Sequence, residues 1–195
     1  LDALATLAFD YPPRSPFFTS ELKNFLILTR DQDLDPVNLM GSYAGAMGYG
    51  QFMPSSYRSY AIDFDGDGKI DIWQNPVDAI GSVANYFKRH GWREGEVVVS
   101  AASAAADTPE SIFVQNRNDL KPEHTVAQFA KAGLVAKKKL DPEALATAMK
   151  FELEKGYEYW VGLHNFYVIT RYNQSAMYAM SVYQLSQRLA ARVAR

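Results

Sequence analysis

A short run of aspartates holds the residues with the clearest chemistry in this sequence. Asp63, Asp65 and Asp67 stand at alternating positions, Gly68 follows, and Asp71 comes three residues later. Gly68 permits the sharp turn that brings such side chains to one side of a loop. Gathered carboxylates repel one another unless a cation lies among them, and a hard cation with oxygen ligands is the natural partner. The spacing therefore predicts a metal-binding loop.

The order Asp-x-Asp-x-Asp-Gly is the first half of an EF-hand calcium loop. The twelfth position, where a bidentate Glu is usual, holds Gln74, and Asp78 is the nearest carboxylate that can close the site. Asp78 can equally serve as an acidic residue at a helix N-terminus, and the two roles are compatible. The alternative for the whole run is a solvated Asp-rich turn without a metal. The expected ligands of a structural Ca²⁺ are Asp63, Asp65, Asp67, Lys69 through its carbonyl, Asp71 and Asp78.

The bulk composition is that of an ordinary soluble protein. Of the 195 residues, 48% are hydrophobic and 22% are charged, and 20 Lys and Arg against 22 Asp and Glu give a net charge of −2. This balance argues against nucleic acid or anionic lipid as a partner. Cysteine is absent, which excludes disulfides and cysteine catalysis. Because the chain opens on Leu1 inside an amphipathic pattern, we expect it to be a piece of a longer product.

The hydrophobic periodicity predicts an α+β protein that is mainly α. We expect a helical core over residues 1–92, with the EF-hand-like loop at 63–78, a small mixed α/β insertion over 93–162, and a return to the helical core over 163–195. We expect Glu21 to be a solvated charge at the start of a helix. The predicted buried positions are Leu22, Phe25, Leu26 and Thr29 in a helix capped by Thr19 or Ser20, Val77, Ile80, Val83, Ala84 and Phe87 in a helix capped by Asn75, and Met177, Met180, Tyr183, Leu185 and Leu189 in the last helix.

Four stretches of the sequence carry a family resemblance. The segment 41–57, Gly-Ser-Tyr-Ala-Gly-Ala-Met-Gly-Tyr-Gly-Gln-Phe-Met-Pro-Ser-Ser-Tyr, is uncharged and rich in glycine and aromatic residues. Together with residues 63–71, called here the Asp loop, with 75–87 and with 165–180, it resembles the lytic murein transglycosylases of the membrane-bound B type. The resemblance spans nearly the whole chain and is weakest between 95 and 150.

The resemblance implies a lysozyme-like helical core with a small inserted sheet lobe. It also implies cleavage, without addition of water, of the bond between N-acetylmuramic acid and N-acetylglucosamine in peptidoglycan, leaving a 1,6-anhydro end. In the family a single Glu acts first as acid and then as base, within a Glu-Thr motif that would precede Leu1, so we expect no catalytic residue in this chain. The substrate-binding residues carried over by position are Ser42, Gln51, Tyr86, Tyr172, Asn173 and Tyr178.

A second class of function stays open at this point, namely a non-catalytic peptidoglycan-binding module with a structural calcium site. For either function we expect glycan strands of peptidoglycan as the partner, with proteins of cell-wall synthesis or remodelling as further candidates, and a monomer. The substrate implies the bacterial periplasm, with association to the outer membrane as an option.

Overall fold

The computed structural model describes residues 1–115 and 120–193 of the chain. The chain divides into two compact units, Leu1–Arg89 and His90–Arg195. The first unit is helical, and the second combines a small sheet with helices. The return of the segment after residue 162 to the helical core of the first unit stays a prediction.

Four α-helices make up the first unit. They are α1 (Asp2–Phe9), α2 (Ser15–Asp31), α3 (Pro54–Tyr60) and α4 (Pro76–Arg89), with a 3₁₀ turn at Pro12–Arg14 between α1 and α2. Pro12 and Pro13 lie just beyond the end of α1, and they cannot continue it because proline has no N–H. The core of this unit consists of Leu4, Ala8, Phe18, Phe25, Leu28, Met47, Phe52, Tyr57, Ile72, Ala79 and Tyr86.

Helix α2 begins earlier than predicted and buries a different face. It starts at Ser15 with a proline in its first turn, so Thr19 and Ser20 are not its caps. The side chain of Leu26 is 48% exposed, whereas Phe25 and Thr29 are buried as expected. The prediction missed Phe18, which extends the buried stripe by one turn toward the N-terminus, and Leu28, which lies within it.

Helix α4 begins where predicted but turns the other side inward. The Asn75 side-chain oxygen accepts a hydrogen bond from the amide of Val77 at 3.0 Å, so Asn75 is the cap. Ile80, predicted to be core, is 70% exposed, and the buried residues are Asp78, Ala79, Gly81, Ser82 and Tyr86. The prediction was wrong because this face meets the backbone of the Asp loop, which needs polar partners and close approach rather than aliphatic side chains.

The second unit contains a five-stranded antiparallel sheet. Its strands are β1 (Val99–Ala104), β2 (His124–Thr125), β3 (Leu134–Ala136), β4 (Leu145–Glu152) and β5 (Tyr157–Gly162), in the order β2-β4-β5-β1-β3. Helix α5 (Val126–Lys131) follows β2, and Thr125 with Gln128 forms a capping box at its start. The packed core of the second unit consists of Ala102, Phe113, Phe129, Leu134, Ala146, Ala148 and Val161.

Two helices complete this unit, α6 (His164–Tyr172) and α7 (Ala176–Val193). Helix α7 buries only Ala179 and Met180 among its described residues. Met177, Leu185 and Leu189 are exposed, so the predicted core face of this helix was wrong for these three residues. No helix in residues 1–115 and 120–193 is both long enough and apolar enough to cross a membrane.

Candidate functional site

Residues 41–52, called here the double-turn loop, form a short meander with two tight turns. Met47 pairs in antiparallel bridges with Gly41 on one side and with Phe52 on the other. The first turn is closed by the amide of Gly45, which donates to the carbonyl of Ser42 at 2.9 Å. The second is closed by the amide of Gln51, which donates to the carbonyl of Gly48 at 3.2 Å. Because the bridges are antiparallel, the two turns lie at opposite ends of the loop.

The double-turn loop is anchored from beneath by tight packing. Met47 and Phe52 are buried. Gly48 has φ +62°, and a Cβ added there would lie 2.4 Å from the carbonyl oxygen of Ile72. The same carbonyl accepts a hydrogen bond from the amide of Tyr49 at 2.9 Å. The loop therefore has a fixed shape that only glycine allows at position 48.

Ser42 and Gln51, both predicted to bind substrate, lie in this one loop. The Ser42 hydroxyl oxygen accepts hydrogen bonds from the amides of Ala44 and Ala46 at 3.3 and 3.1 Å, so its hydrogen is left to donate. Gln51 is exposed and has φ +51°, a conformation that costs a non-glycine residue about 1–2 kcal/mol. Its Nε2 donates to the carbonyl of Gly48 at 2.9 Å. That bond orients the amide and leaves its oxygen as an acceptor.

Tyr86 lies in the first unit as part of a cluster of buried rings. Its ring centroid is 4.8 Å from that of Tyr60 and 6.0 Å from that of Phe52, and its side chain is nearly inaccessible. Tyr86 thus supports the floor of the double-turn loop through Phe52. Contact of Tyr86 with a sugar stays a prediction.

The other three predicted substrate residues belong to the second unit, where α6 ends and α7 begins. Tyr172 is the last residue of α6, and Asn173 is its C-cap. Tyr178 lies in the first turn of α7, where its amide donates to the Ser175 hydroxyl at 3.2 Å. Burial raises the pKa of the Tyr178 phenol above its ordinary value. The three residues thus lie at the junction between α6 and α7.

The first three aspartates of the Asp loop converge as predicted. Asp63, Asp65 and Asp67 each place a carboxylate oxygen within 4.8 Å of the others. Among the described residues, these three form the cluster of side chains that could hold a metal ion. Loop amides hold them in place, since Asp63 accepts from Gly66 at 2.6 Å and from Gly68 at 2.8 Å. Hard oxygen donors at this separation are suited to Ca²⁺.

Backbone amides donate hydrogen bonds to one carboxylate oxygen of Asp71 and to both carboxylate oxygens of Asp78. Asp71 accepts from the amides of Trp73 and Gln74 at 2.8 and 2.9 Å. Asp78 is fully buried, and its two oxygens accept from the amides of Phe64 at 2.8 Å and Asp71 at 2.9 Å. Asp78 thereby ties both ends of the Asp loop to α4. Ligation of a metal by Asp71, by Asp78 or by the carbonyl of Lys69 stays a prediction.

The pKa of Asp78 reflects this setting. Burial by itself raises the pKa of the carboxyl, but the amides of Asp71, Phe64 and Asp65 donate to it and hold its pKa below the ordinary value. The neighbouring Tyr57 hydroxyl donates to the carbonyl of Ile70 at 2.8 Å. Burial and then the charges of Asp71 and Asp78 raise the pKa of that phenol. Because the pKa of Asp78 lies below the ordinary carboxyl value, Asp78 is ionised at neutral pH.

Glu21 is buried within α2, so the expectation of a solvated charge was wrong. Its two carboxylate oxygens accept from the amide and the hydroxyl of Ser55, at 2.9 and 2.7 Å. Ser55 lies in the first turn of α3, where amides lack partners within the helix. Glu21 therefore caps the helix that follows the double-turn loop. The pairing joins positions 34 residues apart, and no local sequence pattern reveals it.

A family model described as a transglycosylase SLT domain matches residues 1–187. The chain belongs to this family, and its α+β, mainly helical architecture is the lysozyme-like fold of lytic transglycosylases.

Individual members of the family are close to this chain in sequence and structure. It is 53% identical over 191 residues to the membrane-bound lytic murein transglycosylase B of Escherichia coli K12, covering 97% of this chain and 50% of that protein. The soluble lytic transglycosylase SltB1 of Pseudomonas aeruginosa superposes with a TM-score of 0.93 at 55% identity, covering 100% of this chain and 63% of that one. The E. coli lytic transglycosylase Slt35, solved in complex with calcium, gives 0.90 at 51% identity, covering 100% and 60%. The chain thus spans about half the length of the curated relative that it matches.

Proposed function

We propose that the intact protein is a lytic transglycosylase. It cleaves the β-1,4 bond between N-acetylmuramic acid and N-acetylglucosamine in peptidoglycan and leaves a 1,6-anhydromuramoyl end. The observation that carries this proposal is the family match over residues 1–187. It is supported by the double-turn loop, which presents one hydroxyl and one amide on a rigid backbone.

In this proposal Ser42 and Gln51 position the substrate. The Ser42 oxygen is already occupied by two amide donors, so the hydroxyl acts as a donor toward a sugar oxygen or toward the catalytic carboxyl. The free side-chain oxygen of Gln51 accepts from the N–H of an N-acetyl group. Tolerated backbone strain at Gln51 supports a role in function, since strained residues cluster at binding sites.

Tyr172, Asn173 and Tyr178 are proposed as the substrate contacts of the second unit. Tyrosine offers a flat face to the C–H side of a sugar ring and a hydroxyl to orient it. Because burial raises the pKa of Tyr178, its phenol stays protonated near neutral pH and can both donate and accept. For Tyr86 the support is the family resemblance, because its ring is buried.

The general acid is proposed to be the Glu of the family's Glu-Thr motif. Glu21 is no candidate for this role, because both of its carboxylate oxygens are hydrogen-bonded to Ser55. The acid must be enclosed so that it stays protonated near neutral pH. One carboxylate is enough when the substrate's own C6 hydroxyl takes the place of water.

We further propose that Asp63, Asp65 and Asp67 bind Ca²⁺ in preference to Mg²⁺. The donor set consists of several carboxylate oxygens, which suits the larger ion with its variable coordination. The ion would neutralise the repulsion of three carboxylates held within 4.8 Å of one another. Its role is structural, because the loop is tied through Asp78 to α4.

A periplasmic location, at or near the outer membrane, is proposed from the substrate. The E. coli relative is described as membrane-bound, and SltB1 of P. aeruginosa is described as soluble. Fractionation of cells with an antibody against this chain distinguishes periplasmic protein from membrane-associated protein.

Digestion of purified sacculi tests the proposed activity. The product of the complete gene is expected to release muropeptides with 1,6-anhydromuramoyl ends, identified by mass spectrometry. Release of reducing ends would show a hydrolase. Binding of sacculi without release of fragments would support the other candidate, a non-catalytic peptidoglycan-binding module, which the structural engagement of Glu21 favours for these 195 residues taken alone.

A further inference from the structure

The double-turn loop carries two tyrosines at equivalent positions of its two turns. Tyr43 follows Ser42 in the turn closed by Gly45, and Tyr49 follows Gly48 in the turn closed by Gln51. Each is therefore the second residue of its turn, at the tip of the loop. Each turn thus combines an exposed aromatic ring with one of the two polar residues, Ser42 or Gln51.

Both rings face solvent although the loop around them is rigid. Tyr43 is 93% exposed and Tyr49 is 66% exposed, whereas Met47 and Phe52 of the same loop are buried. The backbone beneath Tyr43 is held by the Ser42 hydroxyl, and the amide of Tyr49 is fixed to the carbonyl of Ile72. Covering such a ring with a flat apolar surface is favourable, because it removes apolar area from water.

We propose that Tyr43 and Tyr49 are additional saccharide-binding residues that stack on sugars of a peptidoglycan strand. The inference rests on the proposed function, in which Ser42 and Gln51 contact the same strand. Their turns lie at opposite ends of the meander, and six residues of chain separate them by at most about 22 Å. The two rings lie at opposite ends of the loop, and in this proposal each stacks on its own sugar.

The chemistry of the loop favours a glycan over a protein partner. Residues 41–54 carry no charge, and each exposed ring has a polar side chain within its own turn. An amide acceptor and a hydroxyl donor beside an aromatic face suit the acetamido and hydroxyl groups that alternate along an N-acetylated glycan. Protein partners usually contribute a larger contiguous apolar core to the interface.

Calorimetric titration of the 195-residue chain with the tetrasaccharide of N-acetylglucosamine tests the proposal. Tyr43→Ala and Tyr49→Ala are each expected to raise Kd about fivefold, because an aromatic contact contributes about 0.5–1.5 kcal/mol beyond its buried area. Tyr43→Phe and Tyr49→Phe are expected to stay within about twofold of the unaltered chain, since stacking needs the ring alone. Tyr11→Ala is the matched control, because Tyr11 is another exposed tyrosine of the first unit.

Ser42→Ala and Gln51→Ala separate this inference from the proposed function. If these two variants weaken binding while Tyr43→Ala and Tyr49→Ala do not, the stacking proposal is wrong and the proposed site stands. If only one tyrosine variant weakens binding, or if the Phe variants lose as much as the Ala variants, the paired stacking role is wrong. If the unaltered chain does not bind the tetrasaccharide, the stacking proposal is wrong for this chain, whereas the proposed activity of the intact protein is decided by the digestion of sacculi. Melting curves of the Tyr43, Tyr49 and Tyr11 variants are expected to coincide with that of the unaltered chain, because these three side chains are exposed.

Discussion

Replacement of the buried Asp78 by Asn tests how the Asp loop is held to the rest of the first unit. The Asp78 carboxylate accepts from the amides of Phe64 and Asp71. In the nearly isosteric Asn side chain one of these acceptors becomes an NH₂ group that faces an amide donor. One hydrogen bond to a charged group is lost, worth about 1.5–3 kcal/mol, and a buried amide is left unpaired at a further cost of about 1–3 kcal/mol.

We therefore expect Asp78→Asn to lower the free energy of unfolding by about 3 kcal/mol or more. For a protein of this size that corresponds to a fall in Tm of roughly 6–12 °C. The assay is thermal unfolding followed by circular dichroism, with amide hydrogen exchange at Phe64 and Asp71 as the local readout. Asp35→Asn is the matched control, because the Asp35 carboxylate also accepts a backbone amide, that of Val37, but is exposed.

The same experiment separates the two roles open to Asp78. If it ties the loop, the loss in Tm appears in excess chelator as well as in calcium. A loss seen only in calcium would make Asp78 a metal ligand first. A change in Tm below about 2 °C, equal to that of Asp35→Asn, would refute the reasoning from its two hydrogen bonds.

Four further predictions follow from the described contacts. Chelation should lower the Tm by about 5–10 °C relative to calcium at a hundredfold excess over Kd, and Asp63→Ala and Asp67→Ala should remove that dependence; an unmoved melting curve of the unaltered chain would mean a plain Asp-rich turn. The lowered pKa of Asp78 stabilises the fold above the ordinary carboxyl pKa of about 3.9, so stability should fall as pH drops through the lower pKa of the folded state, and less so in Asp78→Asn. Glu21→Leu should cost about 2 kcal/mol because the Ser55 amide loses its partner, whereas Glu21→Gln keeps an acceptor for it and should cost less than half as much; equal melting curves would refute the capping role. Gly48→Ala should lower the Tm by about 4 °C or more, because the added Cβ would lie 2.4 Å from the carbonyl oxygen of Ile72. Gly66→Ala should lower it less, because a Cβ there would meet nothing within 4 Å.

Much of the helical part could be predicted from local signals. The Pro12-Pro13 stop, the Asn75 cap and the turn at the Asp loop each follow from the chemistry of one or two residues. The convergence of Asp63, Asp65 and Asp67 was also predictable, since alternation in a tight turn leaves few other arrangements.

Buried faces proved harder to predict because the partner across the interface decides them. Helix α4 has two candidate faces, and hydrophobicity favours the one with Val77 and Ile80. The other face is buried because Ser82 accepts from the amide of Ile62 and Asp78 from the amides of the Asp loop. Burial of Glu21 depends on Ser55 in the same way. Polar pairing over distances of 7–34 residues leaves no periodic trace in the sequence.

The residues of the candidate site could be predicted from the sequence, but the conformation of the loop that carries them could not. Ser42 and Gln51 were predictable as residues of one glycine-rich loop. That this loop is a meander with an exposed tyrosine at each turn follows only from its bridges and hydrogen bonds.

Digestion of sacculi in water enriched in ¹⁸O is the most direct test of the central claim that the intact protein is a lytic transglycosylase. The proposed reaction closes a ring within the muramoyl residue and adds no water. We therefore predict anhydro-ended fragments whose masses are the same in ¹⁸O-labelled and ordinary water. Incorporation of one ¹⁸O atom into each new glycan end would show hydrolysis and contradict the account.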